Sequence, residues 1–300
     1  MFDQRQGLID AAVIGRVGID LYPNQLETPL AKVRTYTRFV GGFAGNVVTG
    51  LARLGVRTAI VSRVGADPHG DYVREWLRSE GVDVRFLATD PYWQTPPTFC
   101  EVWPPDRFPI TFYRKPTAPD WQLAPEDFDS EEVADARLLY ATGTGLAQSP
   151  SRETTLAALR AHRGTTVFDL DWRPTLWDDP STYPPLAADA AAAADIVIGN
   201  EEEVEAAGVD PPTLVLKRGE RGATVYDRGE ETDVPGFPVD VVNGLGAGDA
   251  FAAALGQSLL AGMPLVEAVR RGTVAGAIVA SRLACSEAMP RLDELEGALV

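Results

Sequence analysis

Residues 239–251 read VDVVNGLGAGDAF. An apolar run ends in a turn with glycine at positions 244, 246 and 248, and Asp249 then precedes an Ala/Leu-rich helix predicted over residues 250–261. Glycine lets backbone N–H groups approach one point closely, because no Cβ is in the way. The start of the helix adds unpaired N–H donors and partial positive charge. This pattern predicts an anion-binding turn beside a carboxylate, which is either a helix N-cap or a catalytic base.

A second glycine-rich turn, GGFAGN at residues 41–46, lies near the start of the chain and leads into a predicted helix that stops at Gly55. Short apolar runs alternate with helical patterns along most of the remaining sequence, which predicts a parallel sheet flanked by helices. The fold class is therefore α/β. The predicted strands of this sheet are residues 11–15, 58–64, 137–142, 165–170, 195–199 and 213–217, and residues 222–227 add a hairpin partner.

Two segments interrupt that alternation. Residues 97–103 and 108–114 are predicted strands joined by Pro104-Pro105-Asp106-Arg107, a pattern typical of a hairpin. Together with the polar stretch at about 21–38, the segment at about 96–116 predicts a small sheet that covers one end of the main domain. No internal repeat or long linker divides the chain, so residues 1–300 are expected to form a single domain with these lid segments inserted.

Composition narrows the classes of function. The net charge of −16 and the sequence pI of about 4.6 argue against nucleic acid or a membrane surface as a partner. No apolar run reaches the roughly 18 residues that a membrane span needs. Residues 1–5 lack the pattern of a signal peptide. With Cys100 and Cys285 as the two cysteines, no disulfide framework is expected, and a cytoplasmic location is predicted.

Several catalytic motifs are absent from the sequence. It contains no Gly-x-x-x-x-Gly-Lys-Ser/Thr, no protein-kinase motif set and no Gly-x-Gly-x-x-Gly after a strand. His69 and His162, the two histidines, are predicted in helical surface segments, which argues against a histidine triad or a zinc site. Acids, arginines and glycine-rich turns remain, and these suit phosphoryl transfer, in which catalysis is mostly positioning and charge stabilisation.

The turns at 41–46 and 246–249, at this order and spacing, resemble the two signatures of the ribokinase (PfkB) family of sugar kinases. The resemblance covers nearly the whole chain and implies a ribokinase-like three-layer α/β/α fold with a mostly parallel central sheet and a small β-sheet lid. Residues 15–22 (GRVGIDLY), 112–114 (FYR), 169–174 (DLDWRP) and 285–290 (CSEAMP) look most like the branch that acts on 5-dehydro-2-deoxy-D-gluconate in myo-inositol catabolism.

The resemblance assigns roles to both turns. It implies that Asp249 is the general base for a sugar hydroxyl, and the chemistry agrees, because an alcohol is a poor nucleophile until a carboxylate accepts its proton. The amides of Gly246, Ala247, Gly248 and Asp249 would stabilise the transferred phosphoryl group. The alternative for Asp249 is a plain N-cap. Four positions resemble the sugar-binding residues of the family: Asp20, Gly41, Gly42 and Asn46. The alternative for Gly41 and Gly42 is a tight turn, and the alternative for Asn46 is a helix cap.

Other positions resemble the nucleotide and metal sites of the family. Asn200 and Glu203 match an Asn-x-x-Glu motif that helps to organise Mg²⁺, in this case with Glu203 acting through water. The alternative is an acidic first helical turn. Lys217, Gly219 and Gly222 match a nucleotide-side loop, and a simple β-turn is the alternative there. The implied cofactors are ATP and Mg²⁺, with a monovalent cation such as K⁺ as a further candidate. A homodimer through the lid is a candidate assembly.

An acid sugar needs cationic partners in so acidic a protein. A guanidinium group can hold a carboxylate by two parallel hydrogen bonds. Arg114 and Arg173 resemble arginines of related ketodeoxygluconate kinases and are the candidate carboxylate clamp, and Arg16 and Lys115 are weaker third members. The alternative is a structural salt bridge within the Asp169/Asp171 cluster.

The expected function is ATP-dependent phosphorylation of the terminal hydroxyl of 5-dehydro-2-deoxy-D-gluconate. Within the same family, a 2-keto-3-deoxygluconate kinase, a ribokinase or a fructokinase is the alternative. From a different class, a non-catalytic regulator that binds sugar or nucleotide would be expected to show a lost base or a broken anion turn, and the sequence shows neither.

Overall fold

The computed structural model describes residues 9–128 and 130–300, so residues 1–5, compared above with signal peptides, lie outside the described residues. In chain order, the strands are β1 (Ala11–Ile14), β2 (Gly18–Pro23), β3 (Tyr36–Gly41), β4 (Thr58–Gly65), β5 (Leu87–Asp90), β6 (Pro97–Cys100), β7 (Ile110–Phe112), β8 (Leu138–Thr142), β9 (Thr165–Asp169), β10 (Ile196–Asn200), β11 (Thr213–Lys217), β12 (Ala223–Asp227) and β13 (Glu230–Val234). The helices are α1 (Phe43–Arg53), α2 (Pro68–Ser79), α3 (Pro125–Phe128), α4 (Glu131–Ala134), α5 (Ser151–Ala161), α6 (Tyr183–Ala192), α7 (Glu201–Ala207), α8 (Ala247–Leu260), α9 (Leu265–Ala280) and α10 (Leu292–Leu299).

Within the described ranges, nine strands form one large sheet in the order β13-β12-β11-β10-β9-β8-β1-β4-β5. The strands from β11 to β5 pair in parallel, whereas β12 and β13 are antiparallel to their neighbours. The predicted mostly parallel sheet is therefore confirmed. The edge strands β5 and β13 were not predicted, because β5 has only four residues and most of β13 is exposed and acidic.

Helices cover both faces of this sheet. Along β1, Ala11 and Val13 belong to one hydrophobic cluster, and Ala12 and Ile14 belong to the other. Side chains alternate between the faces of a strand, so β1 needs apolar residues at every position. Helices α1, α2, α8, α9 and α10 pack in the first cluster, and α5 and α6 in the second. The three-layer α/β/α arrangement is confirmed.

The lid is a separate four-stranded sheet with the order β3-β2-β6-β7. Strands β6 and β7 pair antiparallel, as expected for the predicted hairpin, but both are shorter than predicted. Strand β2 begins at Gly18, before the predicted lid boundary, and pairs with β3 and β6. The lid therefore extends into the segment that carries Asp20. The homodimer through this sheet stays a prediction.

One further finding concerns membranes. Over residues 9–128 and 130–300, the helices include none with both the length and the apolar character that crossing a bilayer requires.

Candidate active site

The two glycine-rich turns meet although they lie far apart in sequence. Gly42, with φ of +85°, immediately precedes α1, and Gly246, with φ of +82°, immediately precedes α8. These backbone conformations favour glycine. Helices α1 and α8 pack closely, since a Cβ at Gly50 would lie 2.5 Å from the Cβ of Ala253. The Nδ2 of Asn46 consequently donates a hydrogen bond of 2.6 Å to the Oδ2 of Asp249.

Asp249 does not cap α8. The helix starts at Ala247 rather than at the predicted residue 250, and its N-cap is Gly246, which makes no side-chain cap bond. The carboxylate of Asp249 lies instead in the first turn and lines a cavity of about 360 Å³. The N-cap interpretation is therefore wrong, and Asp249 lines the cavity wall instead.

Most of the predicted site residues line this cavity, which is called the polar cavity below. A hydrogen-bonding ligand would meet both acids and cations there. The predicted residues in its wall are Asp20, Gly42, Asn46, Arg173, Asn200, Glu203, Lys217, Gly219, Gly246, Gly248 and Asp249. Gly41 is not part of the wall, but a Cβ at Gly41 would lie 2.1 Å from the Cγ of Asp20. Gly41 therefore leaves the space that the Asp20 carboxylate occupies.

Burial tunes the acids of the polar cavity. It raises the pKa of Asp249 to about 6, although the hydrogen bond from Asn46 opposes the change. Burial likewise raises the pKa of Asp20 to about 6, with Arg16 acting in the opposite direction. A carboxylate with a pKa near 6 is ionised at neutral pH and is more basic than an exposed one. These are the properties that a general base requires.

A second cavity of about 860 Å³, called the apolar cavity, lies on the other side of the glycine-rich turn at 244–249, which is called the anion turn. Its wall includes the predicted residues Gly222 and Ala247, together with apolar side chains from the 237–241 loop, α8 and α9: Phe237, Val239, Val241, Phe251, Ala277 and Ala280. Lys217, Gly219, Gly244 and Gly248 line both cavities. The two cavities therefore meet at the anion turn.

Lys217 stands at this junction. Its Nζ would lie 3.7 Å from a Cβ placed on Gly248, and it donates a hydrogen bond of 3.0 Å to the Oδ2 of Asp169. Burial raises the pKa of Asp169 to about 7 against the effect of Lys217. Burial lowers the pKa of Lys217, but Asp169 and Glu203 raise it overall, so the ammonium stays charged. A fixed positive charge beside the turn adds to its attraction for phosphate.

Asn200 and Glu203 form a capping box at the start of α7. The Oδ1 of Asn200 accepts from the N–H of Glu203, and the Oε2 of Glu203 accepts from the N–H of Asn200, both at 2.8 Å. The Oε1 of Glu203 also lies 3.4 Å from the Nη1 of Arg173. The alternative prediction for these residues, an acidic first helical turn, is therefore observed. Both residues also line the polar cavity.

The donor set for a metal is sparse. No group of three or more His, Cys, Asp or Glu side chains arranged to hold a metal occurs among the described residues. Mg²⁺ keeps several waters and commonly uses one or two carboxylates plus substrate phosphates. Glu203 in the wall offers one carboxylate, which is compatible with a metal held mainly by waters and phosphates.

Arg114 does not reach the polar cavity, contrary to the predicted clamp. Strand β7 places Ile110 and Phe112 in the cavity wall but ends at Phe112, so its alternation does not extend to Arg114. Arg114 instead makes a buried ion pair with Asp120, and its Cζ lies 4.4 Å from the ring centre of Trp121.

Lys115, the weaker candidate next to Arg114, forms an exposed ion pair of 3.2 Å with Asp178. Of the four basic residues predicted to bind a carboxylate, two line the wall of the polar cavity, namely Arg16 and Arg173. His69 in α2 and His162 at the end of α5 line neither cavity.

Other wall residues were not predicted to bind a ligand. Asp169 is the last residue of β9, and Asp171 lies between it and Arg173; the alternation of acid and base at the carboxyl end of a parallel strand was a usable signal. Four further members come from the lid and from the segment after α9, and their positions depend on long-range packing: Tyr22, Thr98, Phe112 and Cys285.

Comparisons with known proteins agree with this geometry. The model of the pfkB family carbohydrate kinases matches residues 9–292. The 5-dehydro-2-deoxygluconokinase of Geobacillus thermodenitrificans is 35% identical, and the alignment covers 98% of this chain and 94% of that protein. The enzyme of the same name from Bacillus subtilis is 31% identical, with 96% and 94% covered.

Two solved structures with a similar fold are also sugar kinases. An uncharacterized sugar kinase from Pyrococcus horikoshii in complex with ATP has a TM-score of 0.86 and 28% identity, with 95% of this chain and 96% of that chain covered. A fructokinase from Vibrio cholerae, bound to fructose, ADP and calcium, has a TM-score of 0.87 and 27% identity, with 97% and 99% covered. With both glycine-rich turns in place and a family model that matches nearly its whole length, the chain belongs to the pfkB family of carbohydrate kinases.

Proposed function

We propose that the protein transfers the γ-phosphoryl group of ATP to the terminal hydroxyl of 5-dehydro-2-deoxy-D-gluconate. The observation that carries this proposal is the position of the Asp249 carboxylate, beside the anion turn where the polar and apolar cavities meet. Relatives at 30–35% identity over nearly the full length bear the name 5-dehydro-2-deoxygluconokinase and support this sugar acid.

The residues around the junction divide the work of the transfer. Asp249 accepts the proton of the sugar hydroxyl while the hydroxyl oxygen attacks the γ-phosphorus of ATP. The bond from that phosphorus to the β–γ bridging oxygen breaks, and ADP leaves with the electron pair. Amides of the turn at 246–249 and the Lys217 ammonium stabilise the negative charge of the phosphoryl oxygens. Asn46 holds the Asp249 carboxylate in place through its 2.6 Å hydrogen bond.

The two cavities suit the two substrates. The apolar cavity offers carbon-rich walls for the nucleotide base, and its glycines leave space for phosphates to approach the backbone. The polar cavity offers hydrogen-bonding groups for sugar hydroxyls, among them Asp20 and Asn46. The Oδ1 of Asn46 is buried and has no partner within the described residues, so it is available as an acceptor for a substrate hydroxyl.

The cofactors of the proposal are ATP and Mg²⁺, with K⁺ as an additional candidate. Bound Mg²⁺ would neutralise charge on the β- and γ-phosphates during transfer. Glu203 would contact it through water, and Asn200 would fix the conformation of Glu203 through the capping box.

An ATP-coupled assay over a panel of sugars tests the proposal. The panel contains 5-dehydro-2-deoxy-D-gluconate, 2-keto-3-deoxy-D-gluconate, ribose and fructose, and ADP release is measured for each. The first compound is expected to give the highest kcat/KM. Preference for 2-keto-3-deoxy-D-gluconate, ribose or fructose would replace the substrate but keep the kinase. Binding of sugar and ATP without turnover on any member would favour the regulator instead.

A further inference from the structure

The wall of the polar cavity contains one carboxylate shared by two arginines. The Oδ2 of Asp171 lies 3.0 Å from the Nη2 of Arg16, and the Oδ1 of Asp171 lies 3.2 Å from the Nη2 of Arg173. Asp171 is buried, and its φ of +35° is rare for a residue with a side chain. Such conformations persist where the surrounding structure fixes them, and they concentrate at functional sites. Asp171 thus contacts both guanidinium groups, and Glu203 adds a second contact to Arg173 at 3.4 Å.

Arg16 is fixed on three sides and open on the fourth. Its Nε donates to the Oγ1 of Thr144 at 2.8 Å, and that hydroxyl donates to the Oδ2 of Asp171 at 2.6 Å. Its Cζ lies 5.6 Å from the ring centre of Phe112. Arg16 is only 8% exposed and lines the polar cavity, yet its Nη1 has no hydrogen-bond partner among the described residues. A buried guanidinium with an unused donor facing a cavity is suited to an anionic group of a ligand.

Arg114 provides the contrast within the same chain. It is also buried, paired with an aspartate and placed over an aromatic ring, but it does not line the polar cavity. Asp120, its partner, accepts a hydrogen bond of 2.9 Å from the N–H of Val17, so this pair fixes the backbone next to Arg16. The Arg114–Asp120 pair therefore has a structural role beneath the site.

We infer that Arg16 binds the carboxylate of the sugar acid and that Asp171 is the positioning residue that directs both Arg16 and Arg173 toward it. This inference rests on the proposed function only in taking the substrate to be a sugar acid. Asp171 holds the two cations in one orientation, which reduces the ordering needed when the substrate binds. Arg16 takes the place that the sequence had assigned to Arg114.

Variants at matched positions test this inference. The substrates are 5-dehydro-2-deoxy-D-gluconate and its neutral C1 amide, and KM and kcat are measured for both. The Arg16→Met variant is expected to raise KM for the acid by roughly 10–100-fold, as for loss of a charged hydrogen-bonded pair, with much smaller changes in kcat and in KM for the amide. Arg16→Lys keeps the charge but loses the planar fork, so its KM is expected to be intermediate.

Asp171→Asn tests the positioning role separately. It is expected to lower the acid-to-amide preference by about tenfold, since the two guanidinium groups lose their shared anchor. The matched control is Arg114→Met, which breaks the other buried pair but keeps Asp120 as the acceptor for the N–H of Val17. This control is expected to lower the melting temperature while leaving the preference for the acid over the amide unchanged.

The outcomes separate this inference from the proposed function. If the unmodified protein acts on neither compound, the proposed sugar acid is wrong before any variant is considered. If it phosphorylates the amide as well as the acid, no arginine recognises the carboxylate, and this inference is wrong while the proposed function stands. If the unmodified protein prefers the acid and the folded Arg16→Met and Arg16→Lys variants keep that preference, the role of Arg16 is wrong. If the Asp171→Asn variant keeps the preference for the acid, the role of Asp171 is wrong. If Arg114→Met alone loses that preference, the predicted clamp of Arg114 and Arg173 is restored.

Discussion

The polar and apolar cavities share a wall but differ in almost everything else. The polar cavity has a volume of about 360 Å³ and contains the acids Asp20 and Asp249 beside Arg16 and Arg173. The apolar cavity is larger, about 860 Å³, and the aromatic and aliphatic side chains of the 237–241 loop, α8 and α9 dominate its wall. Lys217 and three glycines line both. Under the proposed function this contrast separates the tasks, with the proton accepted in the polar cavity and the nucleotide bound in the apolar one.

Replacing the base is the sharpest way to separate these tasks. Asp249→Asn keeps the size of the side chain but removes the proton acceptor, so kcat is expected to fall by roughly 10²–10⁴-fold. The affinity for ADP, measured by isothermal titration calorimetry, is expected to stay unchanged, because Asp249 does not line the apolar cavity.

Asp71→Asn is the matched control, since Asp71 is also an acid in the first turn of a helix but lies in α2, away from both cavities. It should keep the kcat of the unmodified protein. An Asp249→Asn variant with normal turnover would contradict the catalytic role, and one that lost ADP affinity would contradict the separation of tasks.

The next largest loss of kcat is expected at Lys217, which lines both cavities. Lys217→Met removes the cation at the junction, and kcat is expected to fall by roughly 10²–10³-fold, as for loss of one donor to a developing charge. The control is Arg218→Met, since the neighbouring Arg218 pairs with Asp233 and lines neither cavity. Steady-state kinetics and melting temperatures are compared for both variants. Equal losses of kcat in the two would remove Lys217 from the mechanism.

Filling the apolar cavity should act on the nucleotide alone. Ala277→Phe adds a ring to the wall formed by α9, and a steric cost of about 1–3 kcal/mol corresponds to a roughly 5–150-fold rise in KM for ATP. KM for the sugar is expected to change little. Ala261→Phe, at the exposed end of α8, is the control and should behave as the unmodified protein. A selective rise in KM for the sugar would reverse the assignment of the cavities.

The pH dependence of activity tests the acids of the polar cavity. The pKa of Asp249 is raised from its ordinary value of 3.8 to about 6, and the base must be ionised to accept a proton. Activity is therefore expected to be retained above pH 6 and to fall about tenfold per pH unit as the pH drops below it. The profile of kcat/KM provides the measurement. Because Asp20 also has a raised pKa, Asp20→Asn is measured alongside, and a limb that moves to pH 4 in this variant would assign the titration to Asp20.

Much of the fold could be read from local patterns. The alternation of apolar runs and helical segments gave the parallel sheet, and the two glycine-rich turns marked the starts of α1 and α8. The exact starts were missed by a few residues, since glycine and alanine in these turns have weak periodicity although they are helical in the structure. The N-cap interpretation of Asp249 failed for the same reason.

The parts of the site that were missed depend on distant contacts. The hydrogen bond between Asn46 and Asp249 joins residues that are 203 positions apart, and the ion pair between Arg16 and Asp171 spans 155 positions. No local spacing distinguishes Arg16 from Arg114, because both stand near aromatic and acidic residues in the sequence. Which one faces the polar cavity depends on where β7 ends and on how the lid covers the main sheet.

The most direct test of the central claim is to identify the product by ¹H–³¹P correlation NMR after incubation with ATP, Mg²⁺ and 5-dehydro-2-deoxy-D-gluconate. The hydroxyl that meets the γ-phosphate beside Asp249 is expected to be the terminal one, with the carboxylate held away from the junction by arginine. The predicted spectrum shows phosphorus coupled to the two protons of the terminal carbon, in a 1:1 ratio with ADP. Phosphorus on a secondary hydroxyl, an acyl phosphate, or free phosphate as the product would contradict this account.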